Sequence, residues 1–494
     1  TALVVNNFWA EAPTLETLFR EFSQISGLHL NLKKCVIMPL DEGDLDTFRG
    51  RLHLQLPAWK DMEISYSGKY LGFYVGPDKG NKSWEDPTDK FLRRCKLWEK
   101  QGTGLHYQTM AYNTFALSTL TYVAQLERPP TSTLQAELQG LRKVIKGPAR
   151  WAEPEDLWRL KEHYGQAISC KSLSHTATAA QLRVGTWDAA CQHQDYHLDS
   201  RDLHTALYHG NNEINRLRWN SWYQHSFAIT LETTEQQYTT KVGPINDLIN
   251  RSTPANHDGN THPRTNPKLQ FQRRAYDKLL QAEPYHPTLR MREKLQRWEL
   301  HDAGKNKLPD NTTGRQNTPC WCARRALASL QLLPKLVPPR VCAAALSTQW
   351  NRWCTHRRYQ KRRLSSNICL LGCSTQAEDS IEHYFQCPVT RDVLHKQLHL
   401  PPHLFANIHT ASFCNANIRD TDCLTAVALL TYALYTTTNR LRAHPPAHNA
   451  VSYDMLVQGL REGAKHHDHA TTVLDNRWNH LRQGAPLPPI PHSI

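Results

Sequence analysis

Apolar positions along this chain recur mostly three and four residues apart, the period of a helix with one buried face; only near the start do they alternate or cluster as strands do. Thr1 to Val5 is a short β-branched run and reads as a strand. Pro13 and Thr14 then open a helix whose Leu15, Leu18, Phe19, Phe22 and Ile25 line one face, and Gly27 closes it. Leu28 to Leu32 alternates as a strand that Cys35 to Met38 continue, and Lys69 to Val75 is a further strand bounded by Gly68 and by Gly76-Pro77. From Trp84 the period is helical. Asp86 reads as a cap and Pro87 as first-turn, with Phe91, Leu92, Cys95 and Trp98 opposite Lys90, Arg93, Arg94, Lys96 and Lys100. Trp98 reads as core rather than as a stacking surface. Further helices are expected over about Tyr107 to Leu126 and Ser132 to Ile145. The fold class is therefore mainly α with a small α/β N-terminal part.

Later segments follow the same rule. Trp151 to Val184 reads as helical, and so do the aromatic-rich residues from Trp187 to Leu231. Thr233 to Pro267 is polar and rich in Pro, Asn, Gly and His, the marks of a linker. Lys268 to Leu300 reads as a charged helix pair, and Leu424 to Leu434 as an apolar helix ahead of a His-rich tail. At 494 residues the chain has room for two to four cores.

The clearest chemistry lies in Cys369-Leu-Leu-Gly-Cys373, His383 and Cys387, a C-x3-C-x9-H-x3-C pattern. Three thiols and an imidazole are the donor set of a closed tetrahedral Zn²⁺ site. Gly372 suits a tight turn between the first pair, and Asp379 to Glu382 read as the start of a helix carrying His383 and Cys387. A segment this short cannot build a core alone, so metal is expected to supply most of its folding free energy. The plainer alternative is a set of buried thiols and a core histidine. Cys320, Cys322, Cys354 and His356 form a weaker possible second site, since cysteines one residue apart chelate poorly; His466 to His469 read as solvated surface.

Charge adds a partner. The chain carries a formal net charge of +14, and no Asp or Glu lies between Asp310 and Glu378, where composition alone would give about six. That stretch holds Arg340, Arg352, Arg357, Arg358, Arg362 and Arg363, interleaved with Trp350, Trp353, His356 and Tyr359. Unneutralised cations with interleaved aromatic planes read as a nucleic-acid surface. No apolar run approaches membrane-spanning length, and thirteen unevenly spaced cysteines read as reduced thiols, which gives an intracellular compartment, nucleus and cytoplasm.

The order "TALVV", amphipathic helix, "SGLHLNLKKC", "GKYLGFYVG" resembles the end of the palm of a non-LTR retrotransposon reverse transcriptase. The likeness is most specific over Thr1 to Gly76 and from Arg340 to Cys387, where "VPPRVCAAALSTQWNRWCTHRRY" precedes the Cys-rich pattern. It implies an RNA-directed DNA polymerase that copies an RNA template from a DNA target primer. The chain then looks like a C-terminal fragment, inactive alone, because the family's aromatic-x-Asp-Asp motif would precede Thr1 and with it the ligands for Mg²⁺. Lys34 matches the Lys held to act near the incoming triphosphate; Cys35 stands where Ser or Thr is usual. Lys69, Tyr70, Leu71 and Gly72 match the turn that grips the primer end. The gap before His383 is slightly longer than in the family's CCHC knuckle.

The expected order is palm end 1–80, helical thumb 81–150, helical post-thumb region 151–232, linker 233–267, basic helical region 268–365, zinc knuckle 366–392 and helical tail 393–494. A different class remains open: a non-enzymatic, zinc-dependent RNA- or DNA-binding protein. A zinc nuclease is disfavoured, because four protein ligands leave no open position for water.

Overall fold

The computed structural model describes residues 2–40, 43–148, 151–187, 227–245, 248, 267–295, 321–359, 368–399, 420–443 and 452–482. These residues are mostly helical, with two small two-stranded sheets. They divide between two compact units, each assembled from three separated stretches of chain: 1–91, 119–135 and 173–283 in the first, 92–118, 136–172 and 284–494 in the second. The stretch 81–150, expected as one helical domain, thus contributes to both.

The first unit opens with a helix, Phe8–Ser26, that starts before Pro13. Asn7 caps it, accepting from the Ala10 N–H, and Glu11 reaches back to the Asn7 N–H. The early start brings Phe8 and Trp9 against Phe48 and Trp59, apolar burial that outweighs the one hydrogen bond Pro13 forgoes. Gly27 closes the helix in the left-handed region, as the sequence predicts. Residues 2–5 are not a strand, because they pair with nothing among the described residues; Val4 is exposed. Leu28 to Leu32 is not one either: Leu32–Lys34 is a 3₁₀ turn, and only Val36–Ile37 pairs, parallel to Glu63–Ile64. Of the expected apolar face, Leu15 and Phe19 join the core around Leu52 and Trp59, whereas Leu18, Phe22 and Ile25 stay exposed.

Lys69 to Val75 is a hairpin rather than a single strand, Gly68–Tyr70 against Phe73–Val75. Leu71 and Gly72 turn it with positive φ at both positions, the two-residue turn whose twist matches the strands. Helix Lys82–Glu99 starts four residues before Asp86, so Asp86 is not a cap and pairs instead with Lys69 at 2.8 Å. Behind the hairpin, Lys79 and Glu127 form a buried ion pair at 2.9 Å, with Ser83 donating to the same carboxylate. A second core gathers Leu182, Tyr238, Leu248, Phe271 and Leu279. Tyr238 belongs to helix Phe227–Lys241, so the expected linker is helical at its start. The polar face reads as a linker in sequence, yet Thr234 is buried and donates to Gln181 at 2.7 Å.

In the second unit, helix Pro339–Gln349 is buried from Val341 to Gln349 and packs on Leu105–Ala111 and Thr421–Ala443. The last of these packs on Ser452–Ala464, where Gly459 lets the backbones close: a Cβ there would sit 2.9 Å from the Ala433 Cα. The helix expected over Tyr107 to Leu126 is interrupted by a π turn at Tyr112–Leu117. Asp156, fully buried, accepts both arms of Arg290 (2.9 and 2.7 Å) and the Tyr285 hydroxyl. Burial pushes its carboxyl up, but the Arg290 fork, the Glu153 N–H and Tyr285 more than offset it, and the net shift is downward. Among the described residues, no helix is long and apolar enough to cross a membrane.

Candidate metal centre and nucleic-acid surfaces

Cys369, Cys373, His383 and Cys387 converge, their ligand atoms all within 4.8 Å of one another. Local sequence accounts for this. Cys369 N–H donates to the Ala377 carbonyl, closing a small loop, and Gly372 takes φ 66° between the two cysteines. Ser380 caps helix Ile381–Gln386 by accepting from the His383 N–H, which sets His383 in the first turn. Cys387 ends that helix and begins the next, Pro388–Val393.

The spacings suit one ion. A tetrahedron with metal–sulfur bonds of ~2.3 Å has edges of about 3.8 Å. Here Cys369 and Cys387 are 3.9 Å apart at sulfur, and Cys373 Sγ lies 3.3 Å from His383 Nε2. The sulfurs are unbonded thiols, since a disulfide would need ~2.05 Å. Cys387 is held well below the ordinary thiol range, first by the hydrogen bond from Cys369 and then, against burial, by the N–H groups of Val389 and Thr390. Cys369, donating that bond and buried, is pushed up. A cation in place of the shared proton would leave both as thiolates. The four residues can therefore hold a metal ion.

The cluster is not the self-contained knuckle that sequence implies. Ile381, Tyr384 and Phe385 are buried, and Trp353 packs near Tyr384, Phe385 and Tyr435. Asp379 joins the segment to the rest of the unit. Its carboxylate accepts from Arg442 Nη2 (2.7 Å), the Tyr384 hydroxyl (2.6 Å) and the His356 N–H (2.9 Å). The local pattern marks Asp379 only as part of a helix start and does not point to Arg442, because their partnership spans 63 residues.

The basic run divides. Trp350 and Trp353 are buried, so neither is a stacking surface. Arg352 is buried as well and does not face solvent as a phosphate contact would. It donates to the Lys146 carbonyl at 2.8 Å and to Gln108 Oε1, and lies 4.5 Å over the Trp151 ring. Burial of the apolar helix before it draws Arg352 inward. Arg357 is exposed, its backbone N–H on the Asp379 carbonyl at 3.2 Å; Arg358 is half-buried. Arg362 and Arg363 lie outside the described residues.

In the first unit the primer-grip candidates share one exposed turn. Lys69 and Tyr70 are exposed, and the Tyr122 hydroxyl donates to the Leu71 carbonyl at 2.7 Å. Gly72 has φ 90°, and a Cβ there would meet the Tyr122 ring at 3.0 Å. Lys34 is exposed two residues before Val36, whose side chain would lie 3.4 Å from a Cβ on Gly68. The Lys34 segment and the hairpin are thus neighbours.

Of the second metal site considered from sequence, Cys320 lies outside the described residues. Among them the Cys369 cluster alone groups three or more such ligands closely enough for an ion. His469 pairs with Thr425 at 3.2 Å. No protein-family model, curated protein or solved structure matches this chain.

Proposed function

We propose that this chain is the primer-handling and zinc-bearing part of a non-LTR retrotransposon RNA-directed DNA polymerase. The observation that carries the reading is the Lys69–Gly72 turn, exposed at its tip, braced by Tyr122 and adjacent to the segment bearing Lys34. A braced turn flanked by a cation, Lys69, and an aromatic ring, Tyr70, suits the sugar-phosphate end of a primer. In this reading Lys34 faces the incoming triphosphate. The ion at Cys369, Cys373, His383 and Cys387 is Zn²⁺, structural because all four positions are protein ligands. Arg357 and Arg358 reach nucleic acid beside it; Arg362 and Arg363 follow in sequence.

The test uses an RNA/DNA hybrid with a recessed DNA 3′ end, read by fluorescence anisotropy. Lys69→Glu should weaken binding by about tenfold at 0.1 M salt and spare a blunt duplex. Equal loss on both would leave only a general polyanion surface. That outcome would favour the non-enzymatic RNA- or DNA-binding reading. The chain alone should extend no primer above background, and templated extension would overturn that expectation.

A further inference from the structure

We infer that the second unit carries a stacking site for unpaired bases of single-stranded nucleic acid, built on Phe115 and Trp98. The inference rests on the nucleic-acid reading above but concerns a different surface. Phe115 is half exposed and Trp98 half-buried, their rings stacked 5.3 Å apart at 21°. Leu97 is exposed beside Trp98 on the same helix, and Arg94 fixes the pair by donating to the Phe115 carbonyl at 2.5 Å. Large apolar side chains left together at a surface need an explanation that scattered ones do not.

The π turn explains why Phe115 stays out. Phe115 lies within that turn, whose inward side is filled by Tyr112, Ala116 and Leu117 and pinned by polar partners. Tyr112, fully buried, donates to Glu137 at 3.1 Å. Asn113 donates to the Ser169 carbonyl at 2.9 Å and accepts from the Lys171 N–H at 3.0 Å. These bonds would be lost if the turn relaxed to a regular helix, so Phe115 is held in place before any ligand arrives.

Charge identifies the occupant. Between Lys90 and Leu126 the one carboxylate is Glu99. Arg93, Lys96 and Lys100 are exposed along helix Lys82–Glu99 and just past its end, three to four residues apart. An apolar protein surface docking here would desolvate those cations without return. A strand that lays bases on the rings and phosphates along the cations satisfies both.

The test titrates the full chain with dT12, U12 and a blunt DNA duplex at several salt concentrations. Phe115→Ala and Phe115→Leu should each weaken dT12 and U12 by about tenfold with no change in salt slope, and leave the duplex within twofold. Phe115→Trp should restore single-strand binding. Lys96→Glu with Lys100→Glu should instead flatten the single-strand slope by roughly 1.4. Phe115→Leu keeps the side chain apolar at a half-exposed position, so a misfolded variant is not the expected cause of loss, and circular dichroism checks it. If Phe115→Leu binds dT12 and U12 as wild type does, or loses the duplex equally, the stacking site is wrong. If wild type binds the recessed hybrid but neither single strand, this inference alone falls. If it binds none of the nucleic acids, the proposed function falls with it.

Discussion

Two neighbouring segments of the second unit, residues 369–387 and 340–358, behave oppositely although both carry pronounced sequence signals. The Cys–His segment brings its four marked residues together within 4.8 Å. The basic segment scatters its own: Arg352 goes inside with Trp350 and Trp353, whereas Arg357 stays on the surface. Ligand convergence over nineteen residues is a local matter of one turn and one capped helix. A charged surface is not local. Whether an arginine belongs to it depends on which helix face the rest of the unit covers.

The largest effect that sharpens this contrast is metal loss. Cys387→Ser should reduce bound Zn²⁺ from one equivalent per chain to a small fraction, by mass spectrometry. A structural zinc site is worth on the order of 10 kcal/mol. Because Tyr384 and Phe385 are core residues, the variant should also lower the melting temperature of the second unit instead of fraying a knuckle. A loss confined to the segment would restore the autonomous picture.

Next comes the buried link. Asp379→Ala would strand Arg442, whose partner is 2 % exposed, at a cost of about 3–5 kcal/mol in urea denaturation. If Asp379→Ala costs under about 1 kcal/mol, the cluster is seated by apolar packing alone.

Arg352 and Arg357 test the basic run directly. Arg352→Ala should lose roughly 3 kcal/mol of stability and leave the salt slope of nucleic-acid binding unchanged. Arg357→Glu should do the reverse, flattening the slope with little change in stability. The opposite pattern would mean that Arg352 is a phosphate contact after all.

Acid titration gives a smaller effect. Asp156 is shifted downward in the fold, so its contribution is fully present above the ordinary carboxylate pKa and fades as pH falls through the folded value. Asp156→Asn should be less stable at neutral pH, and its stability should vary less between pH 5 and the acid limit. An identical acid profile would show that other carboxylates govern that limb.

The smallest expected stability effect is at Lys69, whose pair with Asp86 is solvent-exposed. Lys69→Ala should leave the melting temperature unchanged while weakening the recessed hybrid. A shift in melting would make that pair structural.

Legibility follows the range of the interactions. Helices whose caps and faces lie within a few residues were readable, as with Gly27 ending the first helix and with the two successive helices Pro267–Ala282 and Pro287–Leu295. Strands were less so, because residues 2–5 have β propensity but pair with nothing among the described residues, and Lys69 to Val75 hides a turn at Leu71-Gly72. Trp98 was read as core, yet it is half-buried with an exposed ring stacked on it.

By itself the sequence determined the mainly helical class and the four candidate metal ligands, since both depend on periods and spacings that fix geometry within one or two turns. Only the tertiary structure decided that Arg352 is buried, that Asp379 binds the cluster to Arg442 across 63 residues, and that Phe115 faces outward. Those outcomes depend on which surfaces meet when distant stretches pack, a long-range competition for burial that no local pattern encodes.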